Sequence, residues 1–207
     1  MSAAFDQVCA RCRLAREKLF LKGEKCFTPK CPMVRRPYPP GIHGQKRRTA
    51  TEYGRQLREK QALRAMYGLR DGQRRKYFEE ARTEKGVTAE TLLSRLEARL
   101  DNVVFRLGIG TSRPQARQAV HHGLITVNGR RMDIPSYEVR LGDIVGVKAS
   151  KRGTPLFADL AERTRNKPLS AWLERLDPWS GKAIGKPHLE AREVPVDMRA
   201  IVEFYSR

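Results

Sequence analysis

Acidic residues are scarce in this 207-residue chain: 23 Asp and Glu face 42 Lys and Arg, leaving a formal charge of +19. Such an imbalance argues for a polyanionic partner. Long hydrophobic runs are also missing. No stretch approaches the roughly 18 apolar residues of a membrane span, and the start Met1 to Arg13 lacks the apolar centre and cleavage site of a signal peptide. A cytoplasmic location without a membrane partner is the expectation. There is no Gly-Lys-Thr/Ser phosphate loop, and Gly108-x-Gly110 lacks the remaining glycine of a dinucleotide motif. No acid-base histidine with an orienting carboxylate and no nucleophile in a shaped loop stands out, so the chain reads as a non-enzyme with no small-molecule substrate. A DNA-binding regulator would need a recognition helix paired with dimer heptads, and nothing of that kind is present. Lysine is the minor cation, 13 against 29 Arg, whereas a membrane-surface binder would carry a Lys-rich amphipathic helix. Arginine's planar fork suits phosphate oxygens.

The 40% hydrophobic content is too high for a disordered basic tail, and the length allows one or two domains. The charge is uneven. Residues 1–60 hold 15 basic and 5 acidic residues, more than half of the excess, together with all four cysteines and the Pro-rich run Arg35 to Gly41. A basic, loop-rich segment needs a cross-link or a partner to become ordered. Cys9-x2-Cys12 and Cys26-x4-Cys31 are separated by thirteen residues, the pair-loop-pair spacing of a structural zinc site. Four thiolates leave no open position, so one Zn2+ held by Cys9, Cys12, Cys26 and Cys31 would order the segment without activating water. Two disulfides fit poorly with a chain that shows no export signal, and a redox pair wants a β-α-β pattern that is missing; an iron-sulfur cluster is a further alternative.

Helical periodicity begins at Thr51 and runs to Tyr67, with Tyr53, Leu57, Leu63, Met66 and Tyr67 on one side and Gly68 closing it. Asp71 can cap a second helix through Arg82, with Tyr77, Phe78 and Ala81 inward. A third, from Thr88, carries Leu92, Leu93, Leu96, Leu100, Val103, Val104 and Leu107 to a stop at Gly108. Residues 112–123 form a short helix with an N-cap Ser112, Pro114 in its first turn and Gly123 after it. Arg113, Arg117 and His121 recur every four residues and share a face, with Ala116, Ala119 and Val120 on another. Leu124 to Met132 reads as a hairpin about Asn128-Gly129, and Tyr137 to Val147 as further strand with a Gly142-Asp143 turn. Trp172 and Trp179, among leucines, read as core.

The stretch Leu100 to Gly108, the residues Ser112-Arg113 and Gln115 to Gln118, the stretch Gly123 to Gly129, Pro135-Ser136-Tyr137 and Leu141-Gly142-Asp143 together resemble the S-four RNA-binding domain, a unit shared by ribosomal proteins, pseudouridine synthases and tyrosyl-tRNA synthetases. Arg35 to Gln45, Tyr53 to Tyr67 and the ending Val202 to Arg207 resemble the bacterial small-subunit ribosomal S-four family specifically, and the four cysteines its zinc-bearing form. Residues 151–193 carry length and helical character more than motif.

The resemblance implies an α+β chain. Residues 1–45 would be a basic zinc-binding segment and 46–97 a helical domain. Residues 98–160 would form a small α/β RNA-binding domain, a helix pair packed on a twisted, mainly antiparallel sheet. Residues 161–207 would be a C-terminal helical extension whose end packs back on the helical domain. It further implies a structural constituent of the small ribosomal subunit that binds 16S ribosomal RNA early in assembly, at a helix junction of the 5′ domain. Contact with ribosomal protein S-five, linked to translational accuracy, a place with S-three along the messenger RNA entry path, and repression of its own messenger are implied in the same way. Arg113, Arg117, His121, Arg130 and Arg131 lead as RNA contacts, with Ser112, Gln115 and Asn128 as hydrogen-bonding partners; Ser112 and Asn128 serve equally as cap and turn. Arg35, Arg36, Arg47, Arg48, Arg55 and Arg58 are expected on phosphates.

Overall fold

The structure, a computed structural model, describes residues 3–46, 49–165, 167–188 and 194–206. Along the chain run α1 (Ala3–Ala15), α2 (Pro32–Arg35), α3 (Glu52–Tyr67), α4 (Asp71–Thr83), α5 (Thr88–Glu97), α6 (Leu100–Arg106) and α7 (Arg113–His121), then β1 (Ile125–Val127), β2 (Arg130–Met132) and β3 (Ile144–Val147), then α8 (Leu160–Arg165), β4 (Leu173–Asp177), β5 (Ser180–Ala183) and α9 (Met198–Ser206). They divide into two units, Met1–Ala89 with Ala191–Arg207, and Glu90–Glu190.

In the first unit α3 is delimited by the chemistry of its ends. Thr51 Oγ1 accepts from the Gly54 N–H at 3.2 Å, satisfying one of the orphan donors of the first turn. Gly68 closes the helix at φ 62°, a left-handed conformation that costs glycine little. Leu63, Met66 and Tyr67 are buried. α4 starts one residue earlier than its sequence suggests: Arg70 is the N-cap residue, and Asp71 lies inside the first turn, where it favours the helix dipole. α9 packs on this pair, stacking Tyr205 on Phe78 with ring centroids 4.5 Å apart and setting Phe204 5.6 Å from Tyr53. The buried Arg74 donates to the Tyr205 hydroxyl and to Asp71 Oδ1.

The second unit departs from expectation at three places. The single helix read from Thr88 to Leu107 is two helices, because Arg99 turns extended (φ −64°, ψ 138°) and bridges to Glu138. Its buried guanidinium meets Asp101 two residues on, at 3.1 and 2.8 Å. Residues two apart do not face one another on a continuous helix, so this pairing requires the break. Of the strand expected over Tyr137 to Val147, only β3 forms. The earlier residues are used by that bridge and by a turn with Gly142 at φ 90°. The helical character expected of 161–207 holds for α8 and α9, whereas residues 173–183 form the β4–β5 hairpin, which pairs with β3 and completes a five-stranded antiparallel sheet in the order β2-β1-β3-β5-β4.

The fold is therefore α+β, with the α6–α7 pair over this sheet. Leu100, Val103 and Val104 of α6 and its C-cap Leu107 meet Ala116 and Val120 of α7 and Ile125, Val127, Val145 and Val147 of the sheet in one core, closed by Phe157, Leu160 and Trp172. Each such Leu or Val contributes about 1.5–3 kcal/mol of burial. Gly181 is where β5 passes under α6: a Cβ there would stand 2.4 Å from Leu107 Cδ2 and 2.8 Å from the Glu174 carbonyl oxygen.

Candidate nucleic-acid interface

In the first unit the Pro-rich run is tied to α1 by Arg13, whose Nε donates to the Tyr38 carbonyl at 2.8 Å while its guanidinium lies 5.1 Å from the Tyr38 ring centroid. That anchorage leaves Arg35 and Arg36 exposed. Arg55 is exposed on α3 as well, and Arg58, half-buried, borders a groove of about 630 Å³ with Arg11, Arg64, Leu14 and Leu57. Arg47 and Arg48 lie outside the described residues.

All four cysteines are free thiols, and Cys12, Cys26 and Cys31 are buried. Together with Cys9 they line one cavity of about 10 Å³, room for one water-sized particle. Among the described residues no set of three or more His, Cys, Asp or Glu side chains could hold a metal ion as they stand. Burial above all pushes Cys12 up, partly opposed by a backbone hydrogen bond from Leu19 and reinforced by the other three thiols. Cys26 is raised in the same way, against a hydrogen bond from the Lys22 N–H.

In the second unit the residues read as one recognition face separate into two groups. His121, Arg130 and Arg131 are exposed, the last with a loose pair to Asp133 at 3.6 Å. Arg113 instead turns toward α5 and α6. Its Nε donates to Asn102 Oδ1 at 2.8 Å, its Nη2 is 3.6 Å from Glu97 Oε1, and its guanidinium lies 4.6 Å from the Phe105 ring centroid. Arg117 is tied by Nη1 to Asp101 Oδ2 at 3.1 Å, but its side chain stays 38% exposed. Three polar residues do local structural work. Ser112 Oγ accepts from the Gln115 N–H; Gln115 Oε1 accepts from the Thr111 N–H and hydroxyl, both at 2.6 Å; Asn128, at φ 50°, accepts from the Ile144 N–H and donates to Asp143.

Sequence reasoning missed the partners that fix these arginines. Glu97, fully buried, accepts from Arg106 Nε at 2.7 Å, from Arg106 Nη2 at 3.1 Å and from Asn102 Nδ2 at 2.6 Å. It also missed a group of cations from the segment with least motif. Lys167 Nζ donates to the Phe105 carbonyl at 3.0 Å, and Arg175 donates to the carbonyls of Thr164 and Leu107. Burial, and then the charges of Arg106, Arg175, Arg113 and Arg163, lower Lys167 to about 8. The one sequence signal was Gly108, over which the Lys167 chain runs: a Cβ there would stand 3.0 Å from Lys167 Cδ.

Residues 6–97 match the model described as ribosomal protein S4/S9 N-terminal domain, and residues 98–145 match the S4 domain. The chain is 50% identical over 209 residues to the small ribosomal subunit protein uS4 of Thermus thermophilus and 48% identical over 208 residues to that of Ruminiclostridium cellulolyticum, in both cases over the full length of each chain. A uS4A protein of Clostridium novyi is 48% identical over the same full span.

Proposed function

The chain belongs to the uS4 family of small ribosomal subunit proteins, and from that premise we propose that it binds 16S ribosomal RNA at a helix junction of the 5′ domain and helps to assemble the body of the subunit. As a family member it is a non-enzymatic constituent of the small subunit of the cytoplasmic ribosome. The observation that carries the RNA reading is the pairing of full-length family membership with exposed arginines on each unit, Arg35, Arg36 and Arg55 on one and Arg130 and Arg131 on the other. Double-helical RNA hides its base edges in a deep, narrow groove, so a protein that grips a multi-helix junction reads shape through phosphate and 2′-hydroxyl contacts. Dispersed guanidiniums on rigid helices and a hairpin suit that task, with the Glu97 and Asp101 networks fixing where Arg113 and Arg117 stand. Contact with ribosomal proteins S-five and S-three, and repression of its own messenger, belong to the same reading.

Structural zinc is the second part of it. Four free thiols lining one small cavity supply the donor types of a four-thiolate site, and Cys9, Cys12, Cys26 and Cys31 are the residues that would close on the ion. When bound, Zn2+ would cross-link the two cysteine pairs of a segment that has little apolar core of its own. The RNA reading is tested by hydroxyl-radical footprinting of full-length 16S RNA with the full chain. Protection should gather at one multi-helix junction of the 5′ domain; protection scattered over the whole RNA would overturn it.

A further inference from the structure

Two cations flank Phe105 in the second unit, and the charges of three more arginines reach one of them. The Lys167 ammonium lies 4.9 Å and the Arg113 guanidinium 4.6 Å from its ring centroid, and Arg106, Arg175, Arg113 and Arg163 all act on that ammonium. They come from four elements, α6, α7, α8 and β4, and from the loop after α8. The compensating charge is small. Glu97 serves Arg106 and Arg113, while Asp101 is engaged with Arg99 and Arg117. Lys167 and Arg175 are met by backbone carbonyls, and Arg163 Nε and Nη2 are buried without a hydrogen-bond partner. All five residues are half-buried, so each keeps part of its surface in solvent, in Arg163 at atoms other than Nε and Nη2.

A cluster of like charges held at a half-buried site, with few carboxylates beside it, is complementary to an anion. We propose that Lys167, Arg106, Arg113, Arg163 and Arg175 form a seat for a backbone phosphate group of the ribosomal RNA. The proposal rests on the RNA-binding reading above. Phosphate is the matching anion because its several oxygens accept from guanidinium forks and an ammonium at once. Gly108 keeps the seat open by letting the Lys167 chain pass where a Cβ would crowd it. Lys167 is held near pH 8 by burial and by the four guanidiniums around it; a bound phosphate offsets their repulsion and raises it again. Above pH 8, RNA binding therefore takes up a proton from solvent and weakens as pH rises.

Filter binding of the full chain to a 16S 5′-domain fragment, at fixed salt between pH 7 and pH 9, tests this with K167M and K167R. Wild type should lose about tenfold in affinity across that range. K167M should bind more weakly at pH 7, lack that loss, and show a salt slope shallower by about 0.9. K167R should keep the pH 7 affinity at pH 9. Circular dichroism reports whether K167M folds, and if it does not, the pH profile of K167R decides alone. A K167M protein that is folded and matches wild type in affinity, salt slope and pH profile overturns the seat, as does a K167R protein that keeps the wild-type loss. A wild-type chain that binds the fragment no better than a random duplex overturns the RNA reading instead.

Discussion

Replacing Glu97 with Gln removes one charge from the centre of the second unit and changes almost no volume. The carboxylate is fully buried and takes three donors from Arg106 and Asn102, with Arg113 Nη2 at 3.6 Å. A glutamine keeps one acceptor and turns its NH2 toward donors, so at least one guanidinium loses the counter-charge of a fully buried carboxylate. Breaking a buried ion pair from one side costs about 3–5 kcal/mol, a large part of the 5–15 kcal/mol by which a domain is stable. Both tryptophans, Trp172 and Trp179, lie in this unit, and Trp172 is 4% exposed, so tryptophan fluorescence in urea follows its unfolding. With a slope of about 2 kcal/mol per molar, Glu97→Gln should lower the midpoint by about 2 M. A midpoint within about 0.3 M of wild type at unchanged slope would show that the network is not held by that charge.

Stability of the second unit should rise between pH 8 and about 10.5, because there the unfolded chain keeps the Lys167 proton and the folded chain has released it; urea midpoints that fall or stay flat across that window, once compared with K167M, would contradict the lowered lysine. Zinc content measured on purified protein should be about one ion per chain, and Cys12→Ser should abolish it and loosen α1 in hydrogen exchange; metal-free protein with a fully protected α1 would remove the zinc proposal. Gly181→Ala should destabilise the unit by about 1–3 kcal/mol, since its Cβ would meet Leu107 Cδ2 and the Glu174 carbonyl oxygen, and an unchanged thermal midpoint would refute that close approach.

Where local chemistry decides the structure, the sequence was legible. Thr51 and Gly68 mark the ends of α3, and Ser112, Pro114 and Gly123 frame α7, because caps and left-handed closures act within one turn. The Asn128-Gly129 hairpin follows from the positive φ of both residues. Where long-range pairing decides, the sequence misled. The leucine periodicity from Leu92 to Leu107 is continuous across Arg99, and only the distant Glu138 strip and Asp101 explain why the helix stops. The β4–β5 hairpin was hidden by its charged outer face, Glu174 and Lys182, and becomes a strand pair by docking on β3. Helical spacing placed Arg113 and Arg117 on a common face with His121, but Glu97 and Asn102 draw the first toward α5 and α6, and no spacing rule links them.

On the proposed function, dispersed arginines grip a folded junction of 16S RNA by shape and phosphate contact. The most direct measurement is competition binding of the full chain to the isolated 5′ domain of 16S RNA against a random RNA duplex of equal length, over a salt series. The chain should clearly prefer the 5′ domain at moderate salt, with affinity for both RNAs falling steeply as salt rises. Equal affinity for the two RNAs at moderate salt would contradict it.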